Sequence, residues 1–320
     1  MILAGSDGNT AVEILNVISK ENSSEKVVDY ISKSLHRTSK LLEDETTDKP
    51  PVAKKSKTNY LQNIKTFKIM IANGLFVNES AKIVEEYKAV VKEKFNGHVQ
   101  KLDFGGDKNK SVEVINKFVN DKTNGKIKKL MNADDLKHGS AIVIINAVYF
   151  AGRWDEPFKE KLNATFYSSP QRRHSMMSSD FYSINFTKGD DWECVGIPYM
   201  GRKVWFFIVL PKKRNGLEEL IKKMDYSMFK KFVKEKLSSL TITMPIFKVE
   251  ADYDLVEIFK KLGIKDLFEE SCDLSKMMKD AQYVSKAVHK AVIDVNEFGT
   301  EAAAVTIAMS VPASGGVLNV

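Results

Sequence analysis

The chain has 320 residues, 43% of them hydrophobic and 28% charged, with only 8 prolines, a composition that suits a globular protein and excludes disordered, collagen-like and coiled-coil chains. Its 49 Lys and Arg against 42 Asp and Glu leave a net charge of +7, an excess too dilute over this length to mark a nucleic-acid-binding protein. Two cysteines, Cys194 and Cys272, allow no disulfide framework, and the longest apolar stretch, Ala141 to Ala151, is broken by Asn146 and falls far short of a membrane span.

Met1 to Ala4 is too short for the apolar core of a secretory leader and runs at once into Gly5-Ser6-Asp7-Gly8, so no targeting signal is read there. Helical spacing begins with Ala11, Ile14, Leu15 and Ile18. Asp44 to Asn59, carrying Pro50-Pro51 and Lys54-Lys55-Ser56-Lys57, reads as an exposed loop. Ile69 to Val77 is a β-branched and aromatic run that predicts a strand. Val84, Tyr87 and Val91, and then Val112, Ile115 and Val119, predict amphipathic helices. Strands follow at Ile142 to Phe150 and Val204 to Leu210, a helix at Leu217, Leu220, Ile221 and Met224, and a strand at Leu240 to Val249, where Pro245 suggests an edge or a bulge. Val284, Ala287, Val288, Ala291, Val292 and Val295 recur at helical spacing while their β-branched content argues for a strand, so local pattern leaves this segment open. Helices and strands mix without regular βαβ alternation, and neither a repeat nor a linker divides the chain. The expectation is a single α+β domain over 1–320.

Local signatures of catalysis are missing: there is no Gly-x-Ser-x-Gly, His-Glu-x-x-His, Walker loop or Gly-x-Gly-x-x-Gly. The five histidines (His36, His98, His138, His174, His289) are dispersed, and neither cysteine has a partner at metal-ligand spacing. The reading is of a protein that is not an enzyme, with no cofactor and no metal.

Gly8 to Ala11, Ile71 to Val77, Lys122 to Ile127, Asn146 to Trp154 and Tyr283 to Ala304, in this order along the chain, resemble motifs of the serpins, the serine-protease-inhibitor superfamily. Gly8-Asn9-Thr10-Ala11 is similar to the start of that family's third helix, Ile71 to Val77 to a strand of its large sheet, and Lys122-Thr123-Asn124-Gly125-Lys126-Ile127 to the end of the helix lying across that sheet. Asn146-Ala147-Val148-Tyr149-Phe150-Ala151-Gly152-Arg153-Trp154 resembles a long central strand and its turn. Tyr283 to Ala291, continuing through Val295-Asn296-Glu297-Phe298-Gly299-Thr300-Glu301-Ala302-Ala303-Ala304, resembles the fifth strand and the hinge of the reactive loop. The resemblance decides that Val284 to Val295 is a strand. It implies a fold of several helices around a large mixed sheet with smaller sheets, and a loop that is cleaved by a serine protease and then inserts into that sheet.

Taken as a strand, the segment after Gly299 alternates its faces. Thr300, Ala302, Ala304, Thr306, Ala308 and Ser310 share one face, and all are small and uncharged. A large or charged group there would resist entry into a packed sheet by several kcal/mol through overpacking or desolvation. The hinge expected from the resemblance is therefore Gly299, Thr300, Glu301, Ala302, Ala303 and Ala304. Family spacing counted from Glu297 puts the scissile bond at Ala313-Ser314, whose small side chains would suit an elastase-like protease with a shallow pocket. Asn146 and His289 match a polar network under the sheet's opening region, and Trp154 matches the position where the loop enters.

The resemblance also carries departures. Met1 to Ala4 matches only the tail of the family's second helix and nothing after Val320 matches the terminal strands, so both ends are expected to be truncated and an inactive fragment is one alternative. Phe298 stands where the family usually has an acidic residue. Lys33, Arg37 and Lys40 form one helical stripe, read either as a glycosaminoglycan site or as a solvated helix face. Asn22, Asn78, Asn109, Asn163 and Asn185 head Asn-x-Ser/Thr triplets, which tilt the expectation toward a secreted glycoprotein, with a cytoplasmic protein as the alternative. The functional expectation is a monomeric suicide-substrate inhibitor of a serine protease, with no nucleic-acid or membrane partner. The competing reading is a non-inhibitory serpin acting as a carrier or chaperone-like binder.

Overall fold

The computed structural model describes residues 1–20, 23–43, 67–136, 141–167, 172–234, 236–280 and 282–300. Helices α1 (Ile2–Gly5), α2 (Gly8–Ile18) and α3 (Ser24–Glu43) precede β1 (Phe67–Asn78), α4 (Glu85–Phe95) and β2 (His98–Leu102), after which α5 (Lys108–Lys122) leads to β3 (Ile142–Arg153). Next come β4 (Glu160–Phe166), β5 (Arg172–Lys188), β6 (Trp192–Pro198), β7 (Trp205–Pro211), α6 (Leu217–Lys223) and α7 (Tyr226–Phe232). The chain continues through β8 (Leu237–Pro245), β9 (Phe247–Asp254), α8 (Leu255–Leu262), β10 (Val284–Asn296) and the short β11 (Gly299–Thr300). Among the described residues the strands make a six-stranded sheet in the order β2-β1-β3-β11-β10-β9, with β3 also pairing β10, and a five-stranded sheet, β4-β5-β6-β7, with β8 on β5.

The large sheet is covered on both faces, which is why its inner strands are apolar on both sides. On one face Ala11, Ile14 and Leu15 of α2 and Tyr87 and Val91 of α4 pack with Leu75, Ile142 and Ala287. On the other, Val112, Ile115 and Val119 of α5 meet Phe76, Val143, Ile145 and Ala147, together with Val288 and Val292 of β10. Two sequence readings are corrected. The run from Leu240 to Val249 is not one strand: β8 ends at Pro245 on β5, and β9 starts at Phe247 on β10, in the other sheet. Proline lacks the N–H that would continue a ladder, and here it marks the change of sheet. The spacing of Leu217, Leu220, Ile221 and Met224 does give a helix, but only Leu220 is buried, and the other three are about half exposed. The loop read at Asp44 to Asn59 lies outside the described residues. Cys194 packs with Trp192 and Phe232 and Cys272 with Leu15 and Leu267, in separate clusters. Both are free thiols, and burial pushes each up to about 11.

The connection from α5 to β3 packs on the α5 face through Ile127, Met131 and Leu136. It turns at Asn124 and Gly125, both at positive φ (51° and 80°), and ends in a 3-10 turn at Ala133–Asp135. Asn116 of α5 fixes it: its Oδ1 accepts from Leu130 N at 2.8 Å and Met131 N at 3.1 Å, and its Nδ2 donates to Met131 O at 2.9 Å. Asn116→Ala leaves these backbone groups without their partner and is expected to destabilise the protein by about 1–3 kcal/mol, read as a lower urea midpoint at unchanged slope. Asn116→Asp, which keeps the acceptor, should lose less.

Candidate functional site

β3 and β10 run parallel and pair from Ile142 with Val284 to Tyr149 with Val292. Beyond that point each pairs antiparallel with β11 instead. Thr300 sits opposite Gly152 of β3 and Val295 of β10, and Gly299 opposite Arg153 and Asn296. The seam between the two strands is thus closed along its length and wedged at one end by the segment that leaves β10.

The wedge is held by the chain that follows β3. Asn296 Oδ1 accepts from Phe298 N at 2.9 Å, Phe298 O accepts from Trp154 N at 3.0 Å, and Glu297 O accepts from Phe158 N at 2.9 Å. The buried Glu297 carboxylate meets Lys161 Nζ at 2.5 Å. Gly299 adopts φ +154°, and a Cβ there would overlap the Gly152 carbonyl oxygen and lie 2.8 Å from Arg153 Cα. Only glycine fits this close approach of two backbones.

Thr300 is fully buried, with its Oγ1 2.6 Å from Tyr199 Oη. Tyr199 stacks on Trp154 with ring centres 4.6 Å apart and meets Phe150 edge-on at 4.9 Å. Trp154 Nε1 donates to Asn296 O at 2.9 Å. Burial raises the Tyr199 pKa, so the pair of hydroxyls is uncharged inside an aromatic box. Here each ring brings apolar area while its polar atom is satisfied.

Farther along the seam, residues in register across four strands form a polar row. Asn73 of β1 faces Asn146 of β3, which faces His289 of β10, which faces Tyr253 of β9. Asn146 Nδ2 donates to Asn73 Oδ1 at 2.7 Å, and His289 Nδ1 donates to Asn146 Oδ1 at 2.6 Å. The His289 ring stacks on Tyr253 at 6.2 Å. The row crosses the β3–β10 seam and is satisfied only while the two strands are neighbours.

The structure therefore brings Trp154, Gly299 and Thr300 together at the mouth of the seam and Asn146 with His289 along it. Glu301, Ala302, Ala303, Ala304, Ala313 and Ser314 lie outside the described residues. Lys33, Arg37 and Lys40 are exposed on α3, and Lys33 Nζ is paired with Asp29 at 2.7 Å, which lowers the Asp29 pKa through that hydrogen bond. Of the glycosylation triplets, Asn22 lies outside the described residues, Asn109 and Asn163 are exposed, and Asn185 is buried with Oδ1 accepting from Lys236 N at 3.0 Å. The folded protein has no room for a glycan at Asn185. Tyr199, Phe158, Lys161 and Glu297 complete the mouth but were not singled out as site residues, because they come from separate elements and no local spacing links them.

Gly299→Ala is expected to expel β11 from the seam at a cost of about 1–3 kcal/mol. Hydrogen exchange at Thr300 and at the Trp154 amide should accelerate at least tenfold, a factor corresponding to about 1.4 kcal/mol, while amides of β5 and β6 stay as they were.

A protein-family model described as serpin (serine protease inhibitor) matches residues 1–318. Human Serpin B4 is 29% identical over 100% of this chain and 82% of its own length. Iripin-2 of Ixodes ricinus is 32% identical over 77% of this chain and 63% of its own length, and antichymotrypsin-2 of Bombyx mori is 30% identical over 78% and 68%. Among solved structures, Serpin48 of Tenebrio molitor superimposes with a TM-score of 0.77 at 26% identity, covering 95% of this chain and 79% of that one. Uncleaved ovalbumin superimposes at 0.78 with 21% identity over 93% and 77%, a likeness of fold. With that family model matching almost the whole length, the chain belongs to the serpin family.

Proposed function

We propose that this protein is a single inhibitory domain that disables a serine protease as a suicide substrate, its loop entering the seam between β3 and β10. The observation that carries the reading is β11: Gly299 and Thr300 already form the start of a strand antiparallel to both neighbours. Continuing that register, residue 302 would arrive between Phe150 and Ile293, residue 304 between Val148 and Ala291, and residue 306 between Asn146 and His289. Thr300 faces the core against Tyr199, so the same inner face would receive Ala302, Ala304 and Thr306. No side chain of this set is too large or charged for it. Thr306 would bring a hydroxyl to the row whose Asn146–His289 hydrogen bond the new strand must part.

The chemistry begins as ordinary proteolysis. The protease serine Oγ attacks the carbonyl carbon at the scissile bond, assigned to Ala313-Ser314. That peptide bond breaks, the proton from the serine passes to the new amine of Ser314, and an ester joins the protease to Ala313. Insertion before water hydrolyses the ester would carry the protease along the sheet and distort its site, a switching mode of serpins as a class. The parallel β3–β10 ladder would be replaced by two antiparallel ones, each added hydrogen bond contributing a net of about 0.5–1.5 kcal/mol. The uncleaved state is then held kinetically. Small residues at Ala313-Ser314 favour a protease with a shallow apolar pocket. A sulfated polyanion would find its contact on the exposed stripe of Lys33, Arg37 and Lys40.

Thr300→Arg would force a guanidinium against Tyr199 and Trp154 and is expected to convert the inhibitor into a plain substrate, with cleavage retained and the covalent complex lost. Incubation with elastase-like and trypsin-like enzymes followed by denaturing electrophoresis reads both products, and mass spectrometry of the released peptide fixes the bond cut. A denaturation-resistant complex that survives Thr300→Arg overturns the insertion reading. Absence of any complex from the unaltered protein favours the carrier reading.

A further inference from the structure

The α5 face of the large sheet carries a set of charges that the insertion reading leaves unused. From Lys286 to Val292, beyond the bulge, the even-numbered residues of β10 point to this face: Val288 and Val292 pack under the α5 layer, and Lys286 and Lys290 reach acids nearby. Lys290 Nζ lies 3.1 Å from Asp252 and 4.0 Å from Glu250, both on β9. Lys286 Nζ lies 2.8 Å from Asp254 at the end of β9 and 3.1 Å from Asp135 in the turn that precedes β3. Of these four ion pairs, only Lys286–Asp135 joins β10 to the chain on the β3 side of the seam.

Both acids are fixed before the lysine reaches them. Asp254 Oδ1 accepts from Val256 N at 3.1 Å, capping α8, and Asp135 Oδ2 accepts from Asn132 N at 2.8 Å in the capping box of the 3-10 turn. Each presents its second oxygen to Lys286. The Lys286 side chain is only 18% exposed, and little extra ordering is needed to make the contact. Burial opposes its charge, yet hydrogen bonds with Asp254 and Asp135 outweigh that and raise its pKa. For Asp135 burial is likewise outweighed, by the Asn132 amide and by Lys286, and its pKa is lowered. A bulge between Val284 and Lys286 aims the lysine, and Ser285 Oγ within it accepts from Ala141 N at 2.7 Å.

We propose that Lys286 is a positioning residue that latches the seam from outside, tying the α5–β3 connection through Asp135 to the β9–α8 junction through Asp254. The purpose of the latch rests on the insertion reading; its existence does not. A strand entering between β3 and β10 moves them apart by about 4.8 Å, more than the 3.1 Å contact can span. Lys286–Asp254 travels with β10 and β9 and survives. Opening the seam therefore releases the Lys286–Asp135 pair and leaves the other three intact.

The test is native-state hydrogen exchange at the amides of β3 and β10 that pair across the seam, with no protease present. Asp135→Asn and Lys286→Met should each accelerate this exchange roughly fivefold, the scale of a partly buried ion pair. The double variant should be no faster than either single one, since both remove the same contact. Asp252→Asn, which touches a pair lying wholly on the β9–β10 side, should leave the seam as it was. Urea midpoints report whether each variant is folded, and Asp135→Asn, nearly isosteric, keeps the test valid where Lys286→Met misfolds. Unchanged seam exchange in Asp135→Asn, or additive effects in the double variant, overturns the latch. Faster seam exchange with no protease complex formed by the unaltered protein leaves the latch standing and removes the inhibitory reading instead.

Discussion

β3 and β10 lie side by side and point the same way, and the slanted hydrogen bonds of a parallel pair hold slightly less well per residue than antiparallel ones. Their outer neighbours, β1 and β9, are antiparallel to them. Besides the edge pair β1–β2, which is also parallel, the described sheet thus has one junction, β3–β10, where the alternation of strand direction fails. Any strand running opposite to both would restore it, exchanging one parallel ladder for two antiparallel ones. β11 does this over Gly299 and Thr300, while from Tyr149–Val292 to Ile142–Val284 the two strands keep their parallel pairing.

What holds the remainder shut lies on the two faces of the sheet, and the two differ in kind. On the core face the row of Asn73, Asn146 and His289 is complete only across a closed seam, and parting it exposes polar groups that cost about 1–3 kcal/mol each when left unpaired. On the α5 face the closure comes from packing of Ile127, Met131 and Leu136 over Val288 and Val292 and from charge at Lys286. Ladder hydrogen bonds set how far downhill the open form lies. The polar row and the outer cover set how slowly it is reached. A protein can alter one set without altering the other, so its lifetime and its final stability are separable quantities.

The fold class was legible in the sequence, and the reason for each failure is physical. Ile142 to Phe150 declared itself as a strand because its residues are apolar on both sides, as a doubly covered strand must be. β10 did not: Ala287 packs toward α2 and Val288 toward α5, while Lys286 and Lys290 interrupt the run, and the apolar positions that remain imitate a helix. Family resemblance resolved it, not periodicity. The same resemblance paired Asn146 with His289, which no local spacing could, since 143 residues separate them. Tyr199, Lys161 and Asp135 stayed hidden because their partners Thr300, Glu297 and Lys286 are far away in the chain. The exposed apolar side of α6 shows the opposite limit: spacing identifies a helix but not which of its faces finds a partner.

Register gives the wedge a value beyond its few contacts. Strand side chains alternate, so an inserting strand that slipped by one residue would turn every inner position outward. In this chain such a slip would bring Glu301 to the core face in place of a small neutral side chain, burying a carboxylate beside the Tyr199 hydroxyl. Two glycines prevent it. Gly152 has no Cβ because the Tyr199 ring lies 2.8 Å from where one would stand, and Gly299 has none because the Gly152 carbonyl occupies that space. Backbone meets backbone at one setting only, and the Thr300 hydroxyl then meets Tyr199. The register of any longer strand is therefore decided at the mouth, before the costly parting of Asn146 from His289 begins, and the entry that follows needs only to propagate it.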